Sequence, residues 1–154
     1  MVVRTSEAEW RGRVRDGSGS VSLGSGAFHG PYSFGSRFEN EAGTNPEELL
    51  GAAHASCFAM ALSLVLGKVK ATPEQLVVRA VCTLDEVAGA PRITHSALEV
   101  RGHVRDLAEG AFAEAVDEAS RLCPVSNALT GNVEITVDAT FEGSGAKRRD
   151  VVGA

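Results

Sequence analysis

The sequence predicts an α+β fold, on three observations. Strand-like alternation dominates the first third and returns near the middle and the end of the 154 residues. Two long segments carry helical periodicity instead. The two kinds of segment fall in blocks rather than as repeated strand–helix–strand units, which argues against a doubly wound parallel sheet.

The elements follow in order. Glu9 to Arg15 alternates weakly and reads as a first strand. Residues 16–26, rich in Gly and Ser, read as a loop or two short edge strands joined by glycine turns, with Val21 to Leu23 as a second strand. Tyr32 to Phe38 reads as a third. From Thr44 a helix begins: Asn45 suits the N-cap, Pro46 the first helical position and Glu48 the third, as in a capping box. Leu49, Ala53, Cys57, Met60 and Leu64 then recur at helical spacing as one apolar stripe, and Gly67 is a plausible stop. Small residues, among them Gly51, Ala52, Ala53, Ala55 and Ser56, would let a neighbouring helix approach closely. Leu76 to Leu84 and Arg92 to Arg105 read as strands joined by a hairpin loop over residues 85–91. Leu107 to Leu122 reads as a second long helix with Phe112, Val116, Ala119 and Leu122 on one face. Pro124 cannot continue that helix but can start a short one through Leu129, and Val133 to Phe141 closes the fold as a strand. Residues 1–142 are expected to form a single domain, and the Gly/Ser and Lys/Arg residues of 143–154 a disordered tail.

Composition removes several function classes. A net charge of -5, with Lys147, Arg148 and Arg149 as the only basic cluster, supplies no basic face for nucleic acid. No apolar run approaches the roughly 20 residues of a membrane helix, and no signal peptide is evident, so the cytoplasm is the expected compartment. An odd count of 3 cysteines fits poorly with a secreted disulfide framework. The 4 histidines (His29, His54, His95, His103) are dispersed and no paired Cys/His spacing occurs, so no metal is expected. No cofactor is expected either, since no glycine-rich phosphate loop follows a strand.

Composition alone reads all three cysteines as small core residues. Cys82, in a hydrophobic strand, keeps that reading. His54, three residues before Cys57, shares its helix face; it either packs against a neighbour or assists the thiol.

Two motifs change the reading of the other cysteines. The stretch Ser36–Phe58, with Asn45-Pro46-Glu47 and His54-Ala55-Ser56-Cys57-Phe58, is followed by Ala59-Met60-Ala61-Leu62-Ser63-Leu64. Far downstream stands Leu122-Cys123-Pro124-Val125-Ser126-Asn127. Together they resemble the OsmC branch of the OsmC/Ohr family, over about Trp10 to Phe141. The resemblance implies antiparallel sheets packed around long central helices in an intertwined homodimer. It implies a thiol-dependent hydroperoxide reductase of oxidative and osmotic stress, with Cys57 as peroxidatic and Cys123 as resolving cysteine. Arg37 and Glu47 match the arginine and glutamate that tune the reactive thiol. The implied partners are a hydroperoxide substrate, a dithiol reductant such as a lipoylated protein, and a second copy of the chain, with no nucleic acid and no membrane.

The chemistry suits these residue types. The nucleophile toward an O–O bond is a thiolate, and an apolar setting would raise the thiol pKa. A guanidinium stays charged at any working pH and reverses that, and a carboxylate can hold it in a bidentate pair. Glu47 and Cys57 lie ten residues apart on one helix, about 15 Å along its axis, which no glutamate side chain spans. A Glu47 that tunes Cys57 must therefore come from an antiparallel second copy, giving a composite site. Phe38, Phe58 and Met60 either line an apolar approach that favours organic hydroperoxides or simply pack the core. Two other readings use the same residues: a redox sensor built on the cysteine pair, and a dimeric binder of small apolar ligands without turnover.

Overall fold

A computed structural model describes residues 1–143; the tail expected to be disordered lies, from residue 144 on, outside the described residues. The chain forms two compact units, Met1–Leu49 and the residues from Leu50 onward. The described residues hold two three-stranded sheets, with the helices in separate blocks, and the fold is of the α+β class.

The first unit is an antiparallel sheet of β1 (Ser6–Arg11), β2 (Ser18–Leu23) and β3 (His29–Ser33), in that order. The strands are set differently from the sequence expectation. The first ends at Arg11, because the Gly17 N–H bonds back to the Arg13 carbonyl and turns residues 12–17 into a connection. The third ends at Ser33, and Phe34–Phe38 is not strand but a short helix, α1. The reason is local: the Ser33 and Ser36 hydroxyls each accept the other's backbone N–H, a capping box that sequence alternation conceals. Trp10 and Tyr32 pack across the sheet with ring centroids 5.2 Å apart.

Helix α2 (Pro46–Lys68) begins in this unit. The Asn45 side chain accepts the Glu48 N–H at 2.8 Å, as an N-cap should. The reciprocal half of the box is absent, since the Glu48 carboxylate takes the Thr44 hydroxyl instead. The helix runs past Gly67, and the left-handed residue behind its end is Lys70, at φ 60°.

The second unit is built on a sheet of β4 (Pro73–Val87), β5 (Ala90–Val104) and β6 (Glu134–Phe141). β4 and β5 form an antiparallel hairpin longer than expected. Its turn is only Ala88 and Gly89, both at positive φ, the backbone that matches the twist of a two-residue hairpin. β6 is parallel to β5, so this sheet is mixed rather than antiparallel. The cause is the connection: α3 (Glu109–Leu122) and α4 (Pro124–Leu129) lie between the two strands and return the chain to the same end of the sheet.

The core of this unit joins Phe58, Leu62, Val65 and Leu66 of α2 to Leu98, Val100 and Val104 of β5 and to Phe112, Val116 and Ala119 of α3. This overturns the expected stripe of α2. Ala53, Met60 and Leu64 face outward, and Met60 is 76% exposed; the buried side runs through Gly51, His54, Phe58, Ala61, Leu62, Val65 and Leu66. Apolar residues occur on all sides of this helix, so periodicity does not select the inner one. Leu122 likewise lies outside the expected face of α3. α2 also corrects the expectation about membrane-length segments. It has 23 residues and a window of mean hydropathy 1.9, and is the one helix among the described residues long and apolar enough to cross a bilayer by length and composition. His54 and the serines interrupt its apolar run without lowering that average enough, and a helix lining a protein core meets the same measure.

Phe112 lies directly over Gly102 of β5, where a Cβ would overlap the ring edge. Gly102→Ala is therefore expected to destabilise the protein by about 1–3 kcal/mol through overpacking. Denaturant unfolding of the two proteins should show the midpoint falling; an unchanged midpoint would show that the ring is free to move.

Candidate active site

Arg37 and Glu47 meet within the first unit. Glu47 stands in the first turn of α2, and Arg37 in the last turn of α1. The intervening loop is pinned by the Ser36 hydroxyl, which donates to the Thr44 carbonyl at 2.8 Å, and by the Asn45 side-chain amide, which donates to the Ser36 carbonyl at 3.3 Å. The guanidinium then forks onto the carboxylate: Nη2 to Oε1 at 2.7 Å, and Nε to Oε1 and Oε2 at 3.3 and 3.2 Å. The Glu47 side chain is 10% exposed and that of Arg37 34% exposed, so one face of the cation stays open. The Phe38 ring lies 5.2 Å from the guanidinium carbon, a cation–π contact.

Cys57 and Cys123 meet within the second unit. Cys57 is half-buried on α2 and borders the core. Cys123 is fully buried at the joint between α3 and α4. There its backbone N–H closes α3 on the Ala119 carbonyl, and its sulfur caps α4 by accepting the Ser126 N–H at 3.5 Å. The two thiols shift each other's acidity, and in opposite directions. Burial pushes the Cys57 thiol up, and the neighbouring Cys123 pushes it further, against the Val125 N–H, which lowers it. Burial acts on Cys123 in the same direction. It is outweighed by the Ser126 hydroxyl, the Ser126 N–H, the Cys57 thiol and the Val125 N–H, so that Cys123 is the more acidic of the two.

His54 does not bond to Cys57. It is fully buried, with Nδ1 2.8 Å from the Ser96 hydroxyl on β5 and Nε2 2.8 Å from the Ser126 hydroxyl on α4. Burial lowers its pKa, so the ring is neutral near pH 7. Cys82 is half-buried on β4 rather than enclosed in the core, and its thiol donates to Ser96 at 3.8 Å. Sequence reasoning missed Ser96 and Ser126. Ser126 had a visible signal, the third place after Cys123 in Cys123-Pro124-Val125-Ser126, where a cap's partner stands; Ser96 had none. Phe58 is fully buried in the core and lines no approach to the thiol, whereas Phe38 and Met60 are exposed. Among the described residues no group of three or more His, Cys, Asp or Glu side chains could hold a metal ion.

Helix α2 and the α3–α4 joint of one α+β unit thus bring Cys57 and Cys123 beside each other at the edge of the core. Residues 38–138 match the family described as OsmC-like protein, and the chain belongs to that family. It is 43% identical over 136 residues to peroxiredoxin OsmC of Escherichia coli K12, covering 88% of this chain and 94% of that protein. It is 31% identical over 96 residues to the organic hydroperoxide resistance protein of Xanthomonas axonopodis pv. citri, covering 62% of this chain and 66% of that one. Among solved structures, the organic hydroperoxide resistance protein OhrB of Bacillus subtilis superposes with a TM-score of 0.67 at 26% identity, over 88% of this chain and 98% of that one. An OsmC-like protein from Mycoplasma pneumoniae superposes at 0.73 with 19% identity, over 91% and 97%, which shows the shared fold.

The neutral, buried His54 has a consequence for stability. Its folded pKa lies below the ordinary value of about 6.5, so the folded state binds fewer protons than the unfolded one just below that pH. Its contribution is complete above about pH 6.5 and is lost as the pH falls through the folded value. The urea midpoint should fall between pH 7.5 and pH 5.5, and His54→Gln should flatten that slope; a variant with the wild-type slope would assign the effect elsewhere.

Proposed function

We propose that this chain is a thiol-dependent hydroperoxide reductase, acting on organic hydroperoxides, in which Cys57 is the peroxidatic and Cys123 the resolving cysteine. A peroxide-directed redox activity follows from its relatives, one a peroxiredoxin and others organic hydroperoxide resistance proteins. The observation that carries the finer reading is the placement of Cys57 against the core cluster that holds Cys123, close enough for each thiol to shift the other's acidity. In the cycle, the Cys57 thiolate attacks the distal oxygen of the hydroperoxide; the O–O bond breaks, an alcohol leaves and Cys57 becomes a sulfenic acid. Cys123 attacks that sulfur, forming the disulfide and releasing water. A dithiol reductant, such as a lipoylated protein, returns both thiols by exchange. The setting proposed for this chemistry is the cytoplasm, where thiols are kept reduced, with the described part of the chain working as one OsmC-like domain.

The proton distribution supports a composite site. Within the second unit the Val125 N–H favours the Cys57 thiolate, but burial and Cys123 outweigh it. A guanidinium supplied from outside would reverse that preference. Ten residues of helix separate Glu47 from Cys57, so the proposed source is Arg37 of the partner subunit, aligned by Glu47 of the partner subunit in an antiparallel dimer. The exposed apolar residues Met60 and Leu64 of α2 fit burial against that second copy.

Multiple turnover of cumene hydroperoxide with excess dihydrolipoamide tests the cycle. Cys57→Ser should abolish it, and Cys123→Ser should complete one turnover and then stall or over-oxidise. A thiol count after one equivalent should show two thiols lost and Cys82 spared. Wild-type turnover by both variants would remove the reading. Arg37→Met should slow the peroxide step by about 10- to 1000-fold, the effect of withdrawing a cation that lowers a pKa by one to three units.

The composite site has its own test, in exchanging subunits between the slowed Arg37→Met and the inactive Cys57→Ser proteins. Mixed dimers should hold one intact site each and restore about a quarter of the activity, half of randomly exchanged dimers being mixed. No recovery on mixing, with exchange verified by mass, would place Arg37 and Cys57 of one chain in the same site.

A further inference from the structure

Cys123 owes its setting to a group the cycle above does not use. The imidazole of His54 is fully buried and spans two hydroxyls, one on β5 and one on α4, at 2.8 Å each. Both serines are themselves buried. The Cys82 thiol donates to the Ser96 oxygen, and assigning the Ser96 hydroxyl hydrogen to Nδ1 of His54 gives one consistent order of donors and acceptors. The ring then carries its proton on Nε2 and donates it to the Ser126 oxygen. That in turn leaves the Ser126 hydroxyl hydrogen free to face the Cys123 sulfur, which already accepts the Ser126 backbone N–H. All the bonds point one way, from β4 through α2 to the buried sulfur.

We infer that His54 is a positioning residue for the resolving step: acting through Ser126, it holds the first turn of α4 so that both the hydroxyl and the N–H of Ser126 serve the Cys123 sulfur as it attacks. The inference rests on the reading of Cys123 as the resolving thiol. In that step a lone pair of the Cys123 sulfur attacks the Cys57 sulfenic sulfur. The S–S bond forms, the S–O bond breaks, and the departing hydroxide leaves as water with the proton given up by Cys123. Cys123 is oxidised and the sulfenic sulfur reduced. A sulfur that is fully buried has no solvent to stabilise its thiolate, and the clamped Ser126 takes that place. The same donors stabilise the thiolate when it departs during reduction of the disulfide. The ring's neutral state suits the role, because in this order Nδ1 accepts from Ser96 while Nε2 donates to Ser126, an acceptor and a donor that imidazole offers together and imidazolium does not.

Three variants separate positioning from mere packing. His54→Leu removes both bonds at similar volume, Ser126→Ala removes only the hydroxyl, and His54→Gln keeps a donor and an acceptor. The first readout is thiolate absorbance near 240 nm against pH, in a background of Cys57→Ser and Cys82→Ser, which titrates Cys123 alone. The second is the lifetime of the Cys57 sulfenic acid after one equivalent of cumene hydroperoxide, trapped with dimedone. His54→Leu and Ser126→Ala should raise the Cys123 pKa and lengthen the sulfenic lifetime about tenfold, the scale of one charge-assisted hydrogen bond. Disulfide formation should slow more than peroxide consumption, and His54→Gln should recover part of the loss. Should His54→Leu fail to fold, Ser126→Ala carries the same expectation with the ring in place. An unchanged titration and unchanged sulfenic lifetime in Ser126→Ala would overturn the inference. A wild-type protein that consumes peroxide yet never forms the Cys57–Cys123 disulfide would instead overturn the assignment of Cys123, and the inference with it.

Discussion

The joint between α3 and α4 is the constraint on which the rest of the second unit depends. Pro124 has no N–H and cannot continue α3, so the chain turns at Cys123 with extended backbone, at φ -64° and ψ 116°. One residue then serves two helices: its N–H closes α3 and its sulfur caps α4. That double role leaves the sulfur no freedom to turn away from α2. It is buried against the helix that carries Cys57, and the same turn brings Ser126 under the ring of His54. The connection that this joint interrupts is also the crossover that makes β6 parallel to β5.

Proton placement follows from that geometry. Both thiols lose solvent, which alone would silence both. Cys123 recovers what burial removes because two N–H groups and a hydroxyl surround it, whereas Cys57 gains one N–H and a neighbour that competes for the proton. The asymmetry suits the order of events proposed for the cycle. In that proposal Cys123 is kept ready inside, and Cys57, half-exposed, takes its cation from elsewhere. The Arg37–Glu47 pair has the form that proposal requires: Glu47 is largely buried and takes the Nε–Nη2 edge of the guanidinium, leaving the rest of the cation available. A lone arginine would keep its charge but not its direction.

Local signals were legible in the sequence, and with them much of the architecture. Asn45 and Pro46 announced α2, Pro124 the break and α4, and the two cysteine motifs together marked Cys57 and Cys123, although composition by itself read both as core. The Ser33–Ser36 capping box was present in the sequence but hidden by strand-like alternation. The spacing of Cys123 to Ser126 was equally visible, yet its meaning depended on a histidine 72 positions away.

Sequence by itself determined where α2 and α4 start, where α3 ends and which residue types could do thiol chemistry, because caps, prolines and motifs act over three or four residues. The tertiary structure decided which side of α2 faces inward, how β6 pairs, and which thiol is the more acidic. α2 is apolar on every side, so only its packing against β5 and α3 selects Phe58, Leu62 and Leu66 over Met60 and Leu64. Burial and hydrogen bonding, which set a thiol's acidity, are properties of neighbours far away in the chain, and no local pattern around Cys57 or Cys123 encodes them.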